Sequence, residues 1–261
     1  MFTKKTLYSP QLERDVRLYI FRPDGDDPCP VLYLHEGGLY YYGGYPGKNG
    51  ESLRFGDYYA EHSDTLPRVL IVGIEPPADR RARTAELAPF TKDFETHGAD
   101  FAEHIDGKGK GLAEWIANDL KTFIDGSFPT LSDRENTAVG GFSSGALNAF
   151  YCAMTYPGVF GRLQMQSPAF NLWLDELHGE VAKCNFSGLL SCCVQVGTDD
   201  STRMTTKEES LYAAREMYSQ MLEHGLSPER GQFTVVPDGR HEPESWRKTF
   251  PDVLTWTFGK R

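Results

Sequence analysis

The stretch Thr137-Ala-Val-Gly-Gly-Phe-Ser-Ser-Gly-Ala-Leu147 decides the fold. It begins as a short apolar run typical of a buried strand, passes through small residues, and continues as the start of a helix. Its centre, Gly141 to Gly145, matches G-x-S-x-G, in which a nucleophilic serine occupies a sharp strand-to-helix turn. Both flanking positions must be small because strand and helix nearly touch there. The pattern therefore predicts Ser143 as the nucleophile, since a nucleophile at Ser144 would require glycine where Phe142 stands.

Length and charge limit the classes of protein to consider. The chain has 261 residues, which fits one domain spanning residues 1–261, and its formal net charge is −10. An acidic chain is not expected to bind nucleic acid or an anionic membrane surface, because both require clustered lysine and arginine. Residues 1–8 lack the apolar core of a signal peptide, and no later apolar run is long enough to span a bilayer. Five cysteines, an odd number, suit a reducing compartment, so we expect a cytoplasmic protein.

Apolar runs that predict strands alternate with helical patterns along most of the chain. The predicted strands cover residues 2–8, 12–21, 31–35, 68–74, 137–142, 163–166, 189–196 and 232–236. Helices are predicted at 112–124, at 146–156 and at 206–225, the last with a capping box formed by Thr206 and Glu209. Residues 75–111 show little periodicity and are predicted to wrap over the ends of the sheet. This alternation predicts an α/β fold with a mostly parallel central sheet and helices on both faces.

Functional sites of such sheets form in the loops beyond the carboxyl ends of the strands. Four loops there carry polar or small residues: 36–38, the turn at Ser143, 198–200 and 238–241. His241 follows the last strand and can accept the proton of Ser143. Either Asp199 or Asp200 can orient the imidazole. The chain order serine, acid, histidine is the order expected of the α/β-hydrolase fold.

The oxyanion of an acyl-transfer reaction needs two converging backbone amides. One is expected from Ser144, the residue after the nucleophile, and the other from Gly37 or Gly38. The aromatic residues after that glycine pair are placed to line an acyl or alcohol pocket, with Trp173 as its opposite wall. These residues are Tyr40, Tyr41, Tyr42 and Tyr45.

These motifs together resemble the esterase D-like branch of the α/β-hydrolases, and the resemblance covers nearly the whole chain. That branch includes S-formylglutathione hydrolases, feruloyl esterases, enterobactin esterases and mycolyltransferases. The segments that carry the resemblance are Val31–Leu34, Glu36–Gly37, Arg83–Pro89 (an R-x-x-E-x-x-P pattern), Gly111–Asp125, Gly197–Asp200 and Asp238–His241. The enterobactin and feruloyl esterases are more similar than the S-formylglutathione hydrolases, whose elbow carries histidine before the serine and methionine after it. Ala146 departs from a glycine common in the branch, and the tyrosines at 40–45 have no counterpart that we can assign.

The resemblance implies Asp200 as the acid and Gly38 as the second oxyanion donor. It implies a serine carboxylic-ester hydrolase that forms an acyl-enzyme, acts on an aromatic, siderophore or acylated-sugar ester, and needs no cofactor. Acyl transfer to an alcohol uses the same residues and stays open. A non-catalytic binding domain would be expected to carry a broken triad. The partner is a small-molecule ester, and homo-oligomer formation stays open.

Two further clusters of charged residues are weaker candidates. His97, Asp100, Glu103 and His104 lack the rigid spacing of a metal site, so no metal is expected. Arg80, Arg81 and Arg83 could meet an anionic substrate, although a solvated loop face is the simpler interpretation. Arg83 could instead pair with Glu86, three residues further on, or brace the stretch that wraps over the ends of the sheet.

Overall fold

A computed structural model describes residues 2–37, 55–93 and 104–259. A sheet of eight strands forms the centre, in the order β1-β2-β4-β3-β7-β8-β9-β10. Its strands are β1 (Phe2–Ser9), β2 (Arg14–Phe21), β3 (Val31–His35), β4 (Leu70–Ile74), β7 (Thr137–Phe142), β8 (Arg162–Gln166), β9 (Ser191–Asp199) and β10 (Gly231–Arg240). Strand β2 runs antiparallel to both of its neighbours, and the other neighbouring pairs are parallel. The short strands β5 (Lys92–Asp93) and β6 (His104–Ile105) pair separately.

Helices cover both faces of this sheet. They are α1 (Phe55–Glu61), α2 (Arg80–Leu87), α3 (Gly109–Trp115), α4 (Lys121–Ser127), α5 (Ser144–Thr155), α6 (Leu174–Val181), α7 (Lys207–Glu223) and α8 (Pro243–Phe258). A π-helical turn, Ile116–Leu120, joins α3 to α4. The predicted α/β fold class is therefore confirmed. Within the part of the chain that the structure describes, no helix is both long and apolar enough to cross a bilayer.

Strand β3 shows why the central strands read as continuous apolar runs. All five of its residues are buried. Val31 and Tyr33 belong to the larger core cluster, whereas Leu32 and Leu34 point to the opposite face and belong to the smaller one. A strand covered by helices on both faces has no solvent-facing side, so its sequence does not alternate. The burial of each aliphatic side chain stabilises the folded state by about 1.5–3 kcal/mol, and this packing fixes the positions of the carboxyl ends of the strands.

The stretch between residues 75 and 111 contains a helix that the sequence analysis did not predict. Helix α2 begins after Asp79, whose side chain accepts a hydrogen bond from the amide of Ala82 at 2.9 Å. Only Glu86 and Leu87 of this helix are buried. Because the helix is short and mostly polar, it leaves no apolar stripe for a periodicity argument to detect.

The boundaries of α7 and β10 agree with the sequence prediction to different extents. Helix α7 starts after Thr206 with the predicted capping box, and Gly225, at a φ of 102°, follows its end. Strand β10 runs further than predicted, to Arg240, with a shift of register after Val236. Asp238 and Gly239, predicted as loop residues, therefore belong to the strand, and His241 follows it directly.

Candidate active site

The turn between β7 and α5 holds Ser143 in an unusual backbone conformation, with φ 54° and ψ −129°. A residue that carries a side chain is sterically strained in such a conformation, so the surrounding structure has to hold it there. The amide of Ser143 donates to the carbonyls of Gln166 and Ser167, both at 3.1 Å. A Cβ on Gly141 would lie 2.6 Å from the carbonyl carbon of Gly145, which is too close for any side chain. The G-x-S-x-G spacing thus has a direct steric cause.

Three of the predicted residues meet at this turn. The Nε2 atom of His241 lies 2.9 Å from Oγ of Ser143, and its Nδ1 atom lies 2.7 Å from Oδ1 of Asp200. The three residues come from the ends of β7, β9 and β10, so the carboxyl edge of the sheet brings them together. In this order the histidine can accept the hydroxyl proton of the serine, and the buried acid can stabilise the imidazolium that results.

The two neighbouring aspartates point in different directions. Asp200 is fully buried and faces the imidazole. The carboxylate of Asp199 is exposed and lies 3.6 Å from Nε of Arg240 and 3.9 Å from Nζ of Lys207. Asp200 is therefore the only one of this pair in contact with His241.

Burial and hydrogen bonding act in opposite directions on the pKa of Asp200. Burial alone raises the pKa of this carboxyl group. Hydrogen bonding to His241 and the charge of its ring lower the pKa, as do hydrogen bonds from the side chain of Ser167 and the amide of Gly197, and the net pKa lies below its usual value. The Gly197 amide is 3.1 Å from Oδ2. The carboxyl group is therefore held as the anion that a protonated imidazole requires.

The structure describes only one of the two predicted oxyanion donors. Ser144 is the first residue of α5, so its amide has no acceptor within the helix and is free to bind a developing negative charge. Gly38 lies outside the described residues, as do Tyr40, Tyr41, Tyr42 and Tyr45, and these assignments stay predictions. The neighbouring Gly37 packs directly on Gly73, because a Cβ there would be 1.9 Å from the Gly73 Cα.

A cavity of about 740 Å³ opens above the serine, a volume typical of a small-molecule site. Ser143 and His241 lie in its wall. Apolar side chains also line it: Ile105, Leu147, Leu172, Trp173, Met204 and Trp246. Trp173 has only 2% of its surface exposed and packs on Phe90, with ring centroids 6.0 Å apart. Its predicted place at the substrate pocket is thus compatible with its position in the cavity wall.

Arginines also line this cavity, but their pairing differs from the local pairing that the sequence suggested. Arg83 forms an ion pair with the buried carboxylate of Glu36, the residue after β3. Glu86 pairs instead with Arg14, whose Nη2 atom is 2.6 Å from Oε1. The expected alternative of a pair between Arg83 and Glu86 was therefore wrong. Arg83 and Glu86, the two charged residues of the R-x-x-E-x-x-P pattern, thus connect α2 to two different parts of the sheet.

The weak metal candidate is only partly covered by the structure. Nδ1 of His104 lies 2.6 Å from Oδ1 of Asp93, whereas His97, Asp100 and Glu103 lie outside the described residues. Among the residues with described positions, no group of three or more histidine, cysteine, aspartate or glutamate side chains is arranged to hold a metal ion.

Two residues beside the site were missed by the sequence analysis. Ser167 follows β8 with a φ of 48°, and Trp246 lies in α8 with its ring centroid 5.3 Å from that of His241. Ser167 does carry a signal, because it stands directly beyond the carboxyl end of a predicted strand. Trp246 carries none that the sequence alone reveals, since its contact with the site depends on how α8 packs.

Comparison with known proteins adds to this geometry. A family model described as "Putative esterase" matches residues 9–257. The protein YjcH of Bacillus subtilis (strain 168) is 26% identical over 258 residues, which cover 96% of this chain and 95% of YjcH.

Solved structures share the fold at lower identity. The enterobactin esterase of Shigella flexneri superposes with a TM-score of 0.71 at 19% identity, over 97% of this chain and 57% of that chain. This chain thus spans little more than half the length of that protein. A CE1 ferulic acid esterase from Anaeromyces mucronatus superposes with a TM-score of 0.67 at 17% identity, over 99% of this chain and 91% of that chain. Since the family model covers almost all of the sequence, this chain belongs to the esterase family.

Proposed function

We propose that this chain is a serine carboxylic-ester hydrolase that works through an acyl-enzyme. The observation that carries the proposal is the continuous contact from Ser143 through His241 to Asp200, at the wall of a cavity. The intact arrangement speaks against a non-catalytic binding domain, for which a broken triad is expected. Family membership supports the same reaction class.

The reaction follows from the two contacts of the imidazole. Nε2 of His241 accepts the proton as Ser143 attacks the ester carbonyl, and Nδ1–H keeps its hydrogen bond to Asp200. The buried carboxylate stabilises the imidazolium, which then returns its proton to the leaving alcohol. The amide of Ser144 and, by the sequence prediction, that of Gly38 stabilise the tetrahedral oxyanion. Water then releases the acyl group by the same steps, so the mechanism uses no cofactor.

The cavity favours an ester with an aromatic or apolar group. Leu147, Leu172 and Trp173 contribute apolar surface to its wall, and aromatic acyl groups gain most from such contacts. The structural neighbours named above are an enterobactin esterase and a ferulic acid esterase. We therefore propose aromatic, siderophore and acylated-sugar esters as the substrate classes to test first, and Tyr41 and Tyr42 as further pocket residues.

The two adjacent serines provide the test of this mechanism. Ser143→Ala should leave the fold intact and reduce kcat by about 10⁴-fold or more, because a triad member is lost. Ser144→Ala should reduce kcat far less, because only the backbone amide of that residue takes part. Both variants are assayed with p-nitrophenyl esters, and folding is followed by circular dichroism. Equal losses in the two variants would overturn the assignment of the nucleophile.

Product analysis completes the test, because acyl transfer uses the same acyl-enzyme. The ester is incubated with enzyme in water and with an added alcohol acceptor. We expect the free acid as the main product in both cases. A transesterified ester as the main product would identify an acyltransferase instead.

A further inference from the structure

The indole ring of Trp246 contacts both the nucleophile turn and the base. It stacks on Phe142, the residue directly before Ser143, with ring centroids 4.2 Å apart and an interplanar angle of 14°. The same ring meets the imidazole of His241 at an angle of 83°, with centroids 5.3 Å apart. One side chain of α8 therefore connects the strand end that carries the nucleophile with the base that accepts its proton.

Hydrogen bonds hold this indole in place. Its Nε1–H donates to Oγ of Ser167 at 2.8 Å, and the carbonyl of Ser167 accepts from the amide of Ser143 at 3.1 Å. The backbone carbonyl of Trp246 accepts from Nε2 of Gln166 at 3.2 Å, which ties α8 to the end of β8. With 7% of its surface exposed, Trp246 cannot turn without losing these contacts.

The two hydrogen bonds of His241 leave the tilt of its ring poorly defined. They join Nδ1 to Asp200 and Nε2 to Ser143. Imidazole nitrogens donate and accept in the plane of the ring, so a tilt about the line between the two nitrogens changes both distances little. A second aromatic ring held perpendicular to the imidazole resists such a tilt, because edge-to-face pairs are favoured by their geometry.

We infer that Trp246 is a positioning residue for His241, which it holds at a fixed tilt relative to the nucleophile turn. The inference rests on the proposed function, since His241 is the base of that mechanism. Trp246 also lines the cavity, so contact with substrate is the competing explanation. Lost substrate contact would raise KM for bulky esters, whereas a misplaced base lowers kcat for every ester.

Two substitutions of Trp246 separate its ring contacts from its N–H bond. Trp246→Leu removes both and should reduce kcat by about 10- to 100-fold, the loss that displacement of a catalytic group by about 1 Å produces. Trp246→Phe removes the N–H but keeps an aromatic ring, and should reduce kcat by only about 3- to 10-fold. Both are assayed with p-nitrophenyl acetate, whose small acyl group makes few pocket contacts, and KM should stay within about twofold of wild type. Equal losses of kcat in the two variants would assign the effect to the N–H bond instead. Wild-type kcat in Trp246→Phe would also refute the inference.

Phe250→Leu is the matched control for loss of a buried aromatic ring. Phe250 lies one turn further along α8, is 1% exposed, and belongs to the same smaller core cluster as Trp246. It is not part of the cavity wall. This variant should lower the melting temperature, because a core ring is truncated, and should keep wild-type kcat. A loss of kcat comparable to that of Trp246→Leu would show that any damage to this cluster impairs the enzyme, and the positioning role would be wrong.

A double-mutant cycle with His241→Ala gives a result that a purely structural role would not produce. If Trp246 acts through His241, adding Trp246→Phe to His241→Ala changes the residual rate by less than about twofold. Losses that multiply would mean that Trp246 acts on another part of the site. Because Trp246→Phe is the milder substitution, this cycle decides the question even if Trp246→Leu does not fold.

The same set of variants tests the proposed function separately. If Ser143→Ala and His241→Ala both keep wild-type kcat, the serine mechanism itself is wrong. If both lose activity while the two Trp246 variants keep it, only the positioning role fails.

Discussion

Arg83 on α2 donates from Nε to Oε1 of Glu36, the residue that follows β3, and its Nη2 atom forms an ion pair with the same oxygen. Glu36 has a φ of 61° and is 4% exposed, so a strained and buried acid is held by an arginine from another element. The next residue, Gly37, donates from its amide to the carbonyl of Ile74 at 3.3 Å. The ion pair therefore fixes the turn that leads to the predicted oxyanion residue Gly38.

Replacing Arg83 with glutamine should lower both stability and activity. The Glu36 carboxylate would stay buried without its cation, which we expect to cost about 3 kcal/mol of unfolding free energy. Because the turn would relax, kcat should fall as well. Arg81→Gln is the control, since Arg81 lies exposed on the same helix and should change stability by less than about 0.5 kcal/mol. Urea denaturation and ester hydrolysis measure the two effects. Equal changes in both variants would contradict the role of the pair.

The adjacent aspartates should differ sharply on conversion to asparagine. Asp200→Asn should reduce kcat by about 10⁴-fold, because the amide can favour the wrong imidazole tautomer and cannot stabilise its charged form. Asp199→Asn should cost less than about tenfold, because that side chain is exposed and contacts only surface cations among its described partners. The ratio of the two kcat values is the measurement. The reverse order would assign the acid to Asp199.

Much of the fold was accessible from the sequence because its signals are local. Apolar runs such as Val31–His35 predict buried strands, and the pair Thr206 and Glu209 predicts the start of α7. The spacing around Ser143 predicts the sharp turn because the steric conflict lies within five residues. The order of strands in the sheet, by contrast, was not predicted, since no local pattern encodes which strands pair.

The interactions that were missed depend on residues far apart in the sequence. Arg83 pairs with Glu36, 47 residues away, although Glu86 was available three residues on. Trp246 reaches Ser167 across 79 residues. Such contacts follow only once the sheet and α8 are packed together. The single-domain organisation and the cytoplasmic location stay predictions.

Trp173 should control substrate range more than the chemical step. It lines the cavity wall but contacts neither Ser143 nor His241 through a hydrogen bond described in the structure. Trp173→Phe removes part of an apolar surface, so KM should rise severalfold for bulky aromatic esters and stay unchanged for acetate esters. Trp256→Phe, in the half-buried part of α8, serves as the control for loss of a tryptophan. A parallel loss for both ester classes would show that Trp173 supports the scaffold and that the pocket lies elsewhere.

His35 should make the fold sensitive to acid. It lies at the end of β3 and is 1% exposed, and burial lowers its pKa from 6.5 to about 3. Between these two values the unfolded chain binds a proton that the folded chain does not. The contribution of His35 to the unfolding free energy should therefore be fully present above about pH 6.5. Below that pH it should fall by about 1.4 kcal/mol per pH unit, until the folded ring also titrates near pH 3.

Carboxyl groups titrate in the same range, so the informative quantity is a difference between variants. His35→Gln should be less stable than wild type at pH 7, because the ring packs on Gly145. Between pH 4 and pH 6, however, the unfolding free energy of this variant should depend less steeply on pH than that of wild type, by the amount that corresponds to about one bound proton. His62→Gln, at the surface, controls for the loss of a histidine as such. Chemical denaturation at several pH values gives the slopes. An unchanged slope in His35→Gln would mean that the buried ring is protonated in the folded enzyme, which would contradict the assignment of a neutral His35.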